Sequence, residues 1–135
     1  MTRFVVDPGT VLRLVTEDAQ VSDAHELLAP TLLRSQTLSA LHEAVHRGDL
    51  SVEVGRERLA RVGRLKIRLL GDGVLRRTAW TVADRLGWAS TYDAEYVALT
   101  QLQGEALVTA DVELARAVRG VVETAPYESL LDAGA

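Results

Sequence analysis

The stretch Ser90–Ala117, STYDAEYVALTQLQGEALVTADVELARA, decides the fold that we expect for this chain. Its pattern predicts a helix, a short loop, a strand and a second helix. An aspartate lies at the start of each helix, Asp93 in the first and Asp111 in the second. The apolar run Ala106–Thr109 predicts a buried strand, and Asp111 follows its carboxyl end. Ligands bind at that edge of an open α/β sheet, so we ask whether other strands end in carboxylates.

The rest of the chain alternates strand-like and helix-like segments. After the run Arg3–Val6, Asp7-Pro8 is a strong helix start, because Asp caps a helix and Pro suits its first position. The alternation predicts an α/β protein with a parallel sheet of about five strands, covered by helices on both faces. No repeat or linker divides the chain, so residues 1–135 are predicted to form one domain. Further predicted strands are Thr31–Leu33, Leu65–Leu70 and Val121–Glu123, and further predicted helices are Val21–Ala29, Gln36–His46, Ser51–Val62 and Val74–Leu86.

Composition narrows the class of protein. The absence of cysteine excludes disulfides and thiolate sites. The start, MTRFVVDPG, lacks the apolar core of a signal peptide, and no apolar run could span a membrane. We therefore expect a cytoplasmic protein. The net charge is −4, yet eight of the 15 basic residues lie between Arg56 and Arg77. These arginines cover apolar surface or contact phosphates; Arg64, Lys66 and Arg68 are the candidates for binding RNA.

Three aspartates share one context. Asp7 and Asp111 each follow a predicted strand and begin a helix, and Asp93 begins the helix that leads into the second strand. A single Asp of this kind is usually a helix cap, which stabilises by about 1 kcal/mol. Carboxylates that converge repel one another unless a cation is present. Such a cluster indicates Mg²⁺ or Mn²⁺, which prefer oxygen ligands and assist hydrolysis of phosphodiesters.

The position of Asp93 is the uncertain part of this cluster. Only Trp88-Ala89-Ser90 and a few neighbours separate its helix from the predicted helix Val74–Leu86. Unless the chain crosses back over this short segment, Asp93 lies at the opposite edge of the sheet from Asp7 and Asp111. The residue pattern alone leaves both arrangements open.

The chain resembles the PIN-domain ribonucleases, and most closely the VapC toxins of bacterial toxin–antitoxin pairs. The matching segments are Val5-Val6-Asp7, Thr91–Leu99 (TYDAEYVAL) and Leu107–Ala115 (LVTADVELA). The resemblance implies a three-layer α/β/α sandwich and a Mg²⁺- or Mn²⁺-dependent endoribonuclease. It also implies that Asp93 joins Asp7 and Asp111 as catalytic, metal-binding residues, that the substrate is structured cellular RNA, and that the protein forms a homodimer bound by a cognate antitoxin.

The chain departs from the family pattern at Gln36. The family usually has a glutamate early in the helix after the second strand, and Gln36 occupies that position here. Its amide brings no charge and cannot act as a base. We predict that Gln36, Thr10 and Thr109 line the site. The alternative is a binding module on this fold whose nuclease activity has been weakened or lost.

A second motif competes for the function. His42-Glu43-Ala44-Val45-His46 matches the pattern of zinc peptidases, in which two histidines one turn apart bind Zn²⁺ and the glutamate activates water. This reading needs a third ligand, for which Glu53 or Glu57 would have to serve. It also leaves the three aspartates unexplained. Sequence motifs for dinucleotide binding and for nucleotide-triphosphate binding are absent.

Overall fold

The computed structural model describes residues 1–131; the last four residues of the predicted domain lie outside the described residues. Five strands form one parallel sheet in the order β3-β2-β1-β4-β5. The strands are β1 (Thr2–Val6), β2 (His25–Pro30), β3 (Ile67–Leu70), β4 (Ala106–Val108) and β5 (Thr124–Ala125). The helices are α1 (Pro8–Glu17), α2 (Leu32–His46), α3 (Val52–Arg64), α4 (Gly73–Leu86), α5 (Tyr92–Gln103) and α6 (Val112–Ala117), followed by a short 3₁₀ helix, Tyr127–Leu130.

The central strands are buried on both faces, as a parallel sheet between helix layers requires. Val5 and Val6 of β1 and Leu107 and Val108 of β4 are completely inaccessible to solvent. Helices α1, α2 and α3 contact one another, while α4 packs on α5, which lies across β1, β2 and β4. The predicted three-layer α/β/α sandwich of the PIN type is therefore confirmed. Within residues 1–131, no helix is both long enough and apolar enough to cross a membrane.

The second strand lies where the sequence predicted a helix. Residues 21–29 do not form a helix: Ser22 Oγ accepts a hydrogen bond from the Ala24 N–H within a turn. β2 then pairs with β1 on one side and β3 on the other, and Leu27 to Pro30 are buried. A buried apolar run of this length fits a strand or a helix equally well by pattern, so tertiary pairing decides it.

Two other boundaries differ from the prediction. The segment Thr31–Leu33 is not a strand, because α2 already begins at Leu32. The last strand is Thr124–Ala125 instead of Val121–Glu123, since the N–H groups of Val121 and Val122 donate to the Val118 carbonyl in a turn. The shift occurs because Gly120, at φ +83°, reverses the chain before pairing with β4 begins.

Candidate active site at the carboxyl edge of the sheet

Asp7 and Asp111 lie next to each other because the strands before them are neighbours. Val6 of β1 pairs with Val108 of β4, and the Asp7 N–H donates to the Val108 carbonyl at 3.4 Å. The chain continues from β1 to β2 on one side and from β4 to β5 on the other, so the direction of the strand order reverses between β1 and β4. This makes β1/β4 the switch point of the sheet. Ligands of open α/β sheets bind outside the carboxyl ends of strands at such a point.

Each of these two aspartates uses one oxygen to begin a helix. Asp7 Oδ1 accepts a hydrogen bond from the Thr10 N–H at 2.9 Å and so begins α1. Asp111 Oδ1 accepts from the N–H groups of Glu113 and Leu114 at 3.0 and 3.1 Å and so begins α6. The helix caps predicted from sequence are therefore present. They leave the second carboxylate oxygen of each residue for other ligands.

Asp93 lies at the same edge, because the strand that follows α5 is parallel to the others. A helix that leads into a parallel strand runs against it, so α5 begins at the carboxyl edge and ends at Gln103, just before β4. Loss of hydration is the largest cause that raises the pKa of Asp93, and the negative charges of Asp111 and Asp7 raise this pKa further. The three aspartates are therefore close enough to repel, and the segment before Asp93 does cross back.

Asp93 also differs from the other two in its local role. It lies in the first turn of α5. Thr91 is the residue before this helix, and no side chain caps the helix. Its carboxylate is therefore not needed for a backbone hydrogen bond. Burial and the nearby negative charges oppose the ionised form of Asp93, while its position in the first turn of α5 favours a negative charge.

Gln36 reaches the site through Tyr96. The Tyr96 hydroxyl donates a hydrogen bond of 2.6 Å to Gln36 Oε1, joining α5 to α2 across 60 positions of sequence. Burial and the negative charges of Asp7, Glu95 and Asp93 raise the pKa of Tyr96 far above its ordinary value, so its hydroxyl keeps its proton. The amide oxygen of Gln36 is thus engaged by Tyr96, at the position where the family pattern has a carboxylate.

The two threonines have different surroundings. The Thr10 hydroxyl is buried and donates to the Val108 carbonyl at 3.0 Å, which fastens the start of α1 to the end of β4. Its proton is therefore committed to the fold. Thr109 Oγ1 accepts from the Asp111 N–H at 3.0 Å and lies beside a cavity of about 380 Å³ that also borders Asp111. Thr109 retains its own hydroxyl proton for a ligand.

The basic candidates lie far from these aspartates. Arg64 ends α3 and Lys66 precedes β3, so both are at the amino edge of the sheet, opposite Asp7. They border a separate cavity of about 540 Å³ together with Arg61, Asp18 and Asp23. Arg68 lies within β3 and is 3.8 Å from Glu26. Arg116 of α6 and Arg119 line the cavity beside Asp111.

The zinc-peptidase reading does not gain a third ligand. His42, Glu43 and His46 are exposed on the second half of α2, and Glu43 Oε2 accepts a hydrogen bond from Ser39 at 2.6 Å. Across residues 1–131, no three imidazole, carboxylate or thiolate groups are already arranged to ligate one ion. Glu53 and Glu57 therefore do not complete a site with the two histidines. Asp7, Asp93 and Asp111 are likewise not arranged as a ready set of metal ligands, because one oxygen of Asp7 and one of Asp111 accept backbone hydrogen bonds.

Comparisons with known proteins now decide the family. The chain is 33% identical over 114 residues to the VapC ribonuclease Mb0985 of Mycobacterium bovis, covering 82% of this chain and 87% of that protein. It matches ribonuclease VapC9 of Mycobacterium tuberculosis, from strains CDC 1551 and H37Rv, to the same extent. The chain belongs to the VapC ribonuclease family. No family profile matches the chain.

A solved structure supports the fold of this VapC family member. PAE2754 from Pyrobaculum aerophilum superposes with a TM-score of 0.74 and 24% sequence identity, covering 96% of this chain and 93% of PAE2754. At that identity the likeness concerns the fold alone. The resemblance to PIN-domain proteins and to VapC toxins inferred from TYDA and VTAD is thereby confirmed.

Removing the charge of Asp93 is expected to stabilise the metal-free VapC fold. An acid whose pKa is raised on folding makes the protein less stable as pH rises through that pKa. Asp93→Asn should therefore raise the melting temperature at neutral pH by about 1–3 °C, a small effect because the site is open to screening solvent. The gain should disappear as pH falls below the folded-state pKa of Asp93.

Thermal melts in EDTA, from neutral pH down through the folded-state pKa of Asp93, measure the change in melting temperature. The matched control is Asp23→Asn, which removes an exposed aspartate from the loop before β2. Added Mn²⁺ should raise the melting temperature of the wild type more than that of Asp93→Asn, because an ion that binds only the folded state stabilises it. An Asp93→Asn protein that is less stable than wild type in EDTA would contradict the mutual repulsion.

Proposed function

We propose that this protein is a Mg²⁺- or Mn²⁺-dependent endoribonuclease that acts as the toxin of a toxin–antitoxin pair. The observation that carries the proposal is the meeting of Asp7, Asp93 and Asp111 at the β1/β4 switch point. These aspartates come from three distant parts of a chain that is 33% identical to VapC ribonucleases. A helix cap explains Asp7 and Asp111 individually, but it does not explain why Asp93 lies close enough to both for their charges to raise its pKa in addition to burial, the larger cause.

The donor set suits a hard divalent cation. Carboxylate oxygens are the ligands that Mg²⁺ and Mn²⁺ prefer. The pKa of Asp93 is raised by burial first and by the negative charges of Asp111 and Asp7 second. Mg²⁺ is usually held by one or two carboxylates, with waters and substrate phosphates as the other ligands, so a closed cage of three side chains is not required. A bound ion of this kind polarises phosphate oxygens and lowers the pKa of a bound water.

The side chains of this protein then have separate roles. Asp7 and Asp111 offer the oxygens that their helix caps leave over, and the caps hold both carboxylates in place. Asp93, which carries no cap, is able to reorient towards an ion or to accept a proton from a water near the phosphate. Thr109 donates its hydroxyl towards the scissile phosphate. Gln36, held by Tyr96, lines the same side of the site as Asp93.

The RNA backbone requires cations near these acids. Arg116 and Arg119 border the cavity beside Asp111, and the nearest carboxylate to Arg116 is Glu113 at 3.5 Å, a weak exposed pair. We therefore assign phosphate contacts to Arg116 and Arg119. Clustering in sequence favoured Arg64, Lys66 and Arg68, but Arg64 and Lys66 are at the other edge of the sheet.

The double substitution Arg116→Gln/Arg119→Gln should weaken RNA binding and lower its salt dependence. Each lost phosphate contact reduces the slope of log affinity against log salt by about 1. Binding of an RNA oligonucleotide by an Asp7→Asn protein, titrated over several salt concentrations, measures both effects. Arg64→Gln/Lys66→Gln removes the same charge at the opposite edge and serves as the matched control. Equal losses in the two double variants would contradict the assignment.

The proposal includes a protein partner. An excess of negative charge at an open site favours a partner that inserts a cationic side chain, and the family implies a cognate antitoxin that does so. The family also implies a homodimer. Co-expression with a candidate antitoxin, followed by an activity assay of the complex, tests the first expectation. Light scattering of the purified toxin tests the second.

A second candidate function follows from Gln36. With an amide in place of the fourth acid, and with its oxygen engaged by Tyr96, the protein could bind RNA or a protein without cutting. Incubation of total RNA with the purified chain separates the two functions. The nuclease produces discrete fragments in Mn²⁺ and none in EDTA. Intact RNA at saturating Mn²⁺ would leave the binding module as the better account.

A further inference from the structure

A cavity of about 520 Å³ opens beside Asp93, on the side of the site away from Arg116 and Arg119. Its volume falls within the range of small-ligand pockets. Of the residues that line it, only Asp93 belongs to the proposed metal site, and none is a proposed phosphate contact. The larger and polar side chains that line it are those of Gln36, Trp88, Ser90, Tyr92 and Asp93.

The aromatic wall of this cavity is held rigidly. Gly87, at φ +73°, ends α4 in the left-handed region that favours glycine. The Gly87 N–H donates to the Asp84 carbonyl and the Trp88 N–H donates to the Ala83 carbonyl at 2.8 Å, which together form a Schellman motif. These bonds fix the backbone of Trp88, and its side chain packs partly against the core.

Tyr92 supplies an exposed ring next to a proposed metal ligand. It is 59% exposed, although it opens α5 directly before Asp93. The chain has only one phenylalanine, two tryptophans and three tyrosines, so two aromatic residues in one small cavity are a concentration of a scarce residue type. Exposed aromatic rings that border a nucleic-acid site serve as surfaces on which bases stack.

Gln36 presents a hydrogen-bond donor to the same cavity. Because its Oε1 accepts from the protonated Tyr96 hydroxyl, the amide group has a fixed orientation. Its NH₂ has no hydrogen-bond partner among residues 1–131. A carboxylate at this position would offer no such donor. Gln36 therefore gives the cavity a group that pairs with a carbonyl or ring-nitrogen acceptor.

The charge of the cavity lining disfavours a phosphate as its occupant. No lysine or arginine lines it within the described chain, and Asp93 contributes a negative charge. The occupant must be neutral, must have a flat face and must carry acceptors at its edge. A nucleobase has all three properties. In a duplex both faces of a base are covered, so only an unpaired base can stack on Tyr92.

We infer that this cavity binds one unpaired nucleobase of the RNA substrate, stacked on Tyr92 and hydrogen-bonded by Gln36, next to the cleaved phosphate. The inference rests on the proposed nuclease function, and it defines the substrate class as single-stranded RNA or an unpaired loop of a folded RNA. The strand then crosses the aspartates with its base on the Tyr92 side and its phosphates on the Arg116 side.

Binding of RNA to variants of the uncleaving Asp7→Asn protein tests the inference. The probe is a short fluorescein-labelled RNA of unstructured sequence, compared with the same strand in a duplex. Tyr92→Ala should weaken binding of the single strand by about fivefold or more. Tyr92→Phe, which keeps the ring, should retain the original affinity. Tyr92→Ala with unchanged single-strand affinity, or with an equal loss for duplex, overturns the inference.

A second measurement needs no change in the cavity. Trp80→Phe leaves Trp88 as the only tryptophan of the chain, because Trp80 is the other one and lies 68% exposed on α4. The emission of Trp88 should then be quenched when the single strand binds and should not change when duplex binds. No quenching at saturating single strand overturns the inference, whether or not Tyr92→Ala folds.

The proposed nuclease function and the proposed base pocket can be disproved independently of each other. Both measurements use binding in a background that does not cut, so they do not depend on nuclease activity. Stacking on Tyr92 without any cleavage by the wild type would overturn the nuclease and keep the base pocket. Mn²⁺-dependent cleavage with binding that does not involve Tyr92 would do the reverse.

Discussion

Replacing Asp7 with asparagine should lower Mn²⁺-dependent RNA cleavage by about 100-fold or more while leaving the fold intact. The loss follows from removing one charged ligand at the point where the phosphate is activated. The fold is preserved because Asp7 Oδ1 accepts the Thr10 N–H, and asparagine offers the same oxygen and caps helices equally well. Asp7 is only 8% exposed, so an isosteric change is also the one that fits.

The structure provides a closely matched control for Asp7→Asn. Asp72 also follows a strand of the sheet at its carboxyl edge, and its Oδ1 accepts the Leu75 N–H at 2.9 Å at the start of α4. Asp72 is therefore a helix cap without the neighbouring aspartates. Asp72→Asn should cleave RNA at the wild-type rate. Equal activity in Asp7→Asn and wild type, with both proteins folded by circular dichroism, would show that Asp7 is a cap and no more.

Gln36→Glu should increase Mn²⁺ affinity by about tenfold and lower the Mn²⁺ concentration that gives half-maximal cleavage, while the lost amide donor weakens RNA binding. The change adds a fourth carboxylate beside the three aspartates, and a cation site binds its ion more tightly when its ligands carry more negative charge. The Tyr96 hydroxyl, protonated because its pKa is raised, would donate a charge-assisted hydrogen bond to the new carboxylate and hold it in place. Isothermal titration with Mn²⁺ and initial cleavage rates over a range of Mn²⁺ concentrations measure the two effects.

Two further variants separate a local effect from a general one. Gln101→Glu adds the same charge on the exposed part of α5 and should leave Mn²⁺ affinity unchanged. Tyr96→Phe combined with Gln36→Glu should lose part of the gain, since the glutamate is then no longer held. In EDTA, Gln36→Glu should melt below wild type because a fourth negative charge joins the site. A Gln36→Glu protein with unchanged Mn²⁺ affinity would contradict a cation site between α2 and the aspartates.

The sequence predicted the class of fold because alternation of apolar strands and capped helices is a local property. Asp7-Pro8 and Asp111 began helices as expected, and the strand before each was found. The strand β2 was missed because its residues satisfy both periodicities, and only pairing with β1 and β3 separates them. Local patterns do not contain that pairing, so the segment Val21–Ala29 was assigned to a helix in error.

The site, like the fold, was predictable from sequence only in part. Asp7 and Asp111 could be placed from sequence because each follows a strand, whereas the edge of Asp93 depends on the course of α4 and α5 through space. The hydrogen bond from Tyr96 to Gln36 joins residues 60 positions apart and has no local signal. Trp88, Tyr92, Arg116 and Arg119 were not predicted as site residues. Tyr92 alone had a usable signal, its position beside Asp93 in the family motif.

Clustering of basic residues along the chain does not by itself show where they lie relative to the aspartates. In the basic segment Arg56–Arg77, the predicted RNA contact Arg64 ends α3 and Lys66 precedes β3, so both lie at the amino edge, whereas Arg76 and Arg77 lie near the start of α4. Two isolated arginines, Arg116 and Arg119, border Asp111 instead because α6 begins at that residue. The direction of each helix relative to the sheet, which is a property of the whole fold, decides which cations meet the acids.

A crystal of the wild-type protein soaked in Mn²⁺ tests the central claim most directly. Mn²⁺ scatters anomalously, so the position of the ion is located without reference to the expected site. The account predicts an anomalous peak within ligand distance of the carboxylates of Asp7 and Asp111 or Asp93, and no such peak in Asp7→Asn. An ion bound only by His42 and His46, or no bound ion at saturating Mn²⁺, would contradict it.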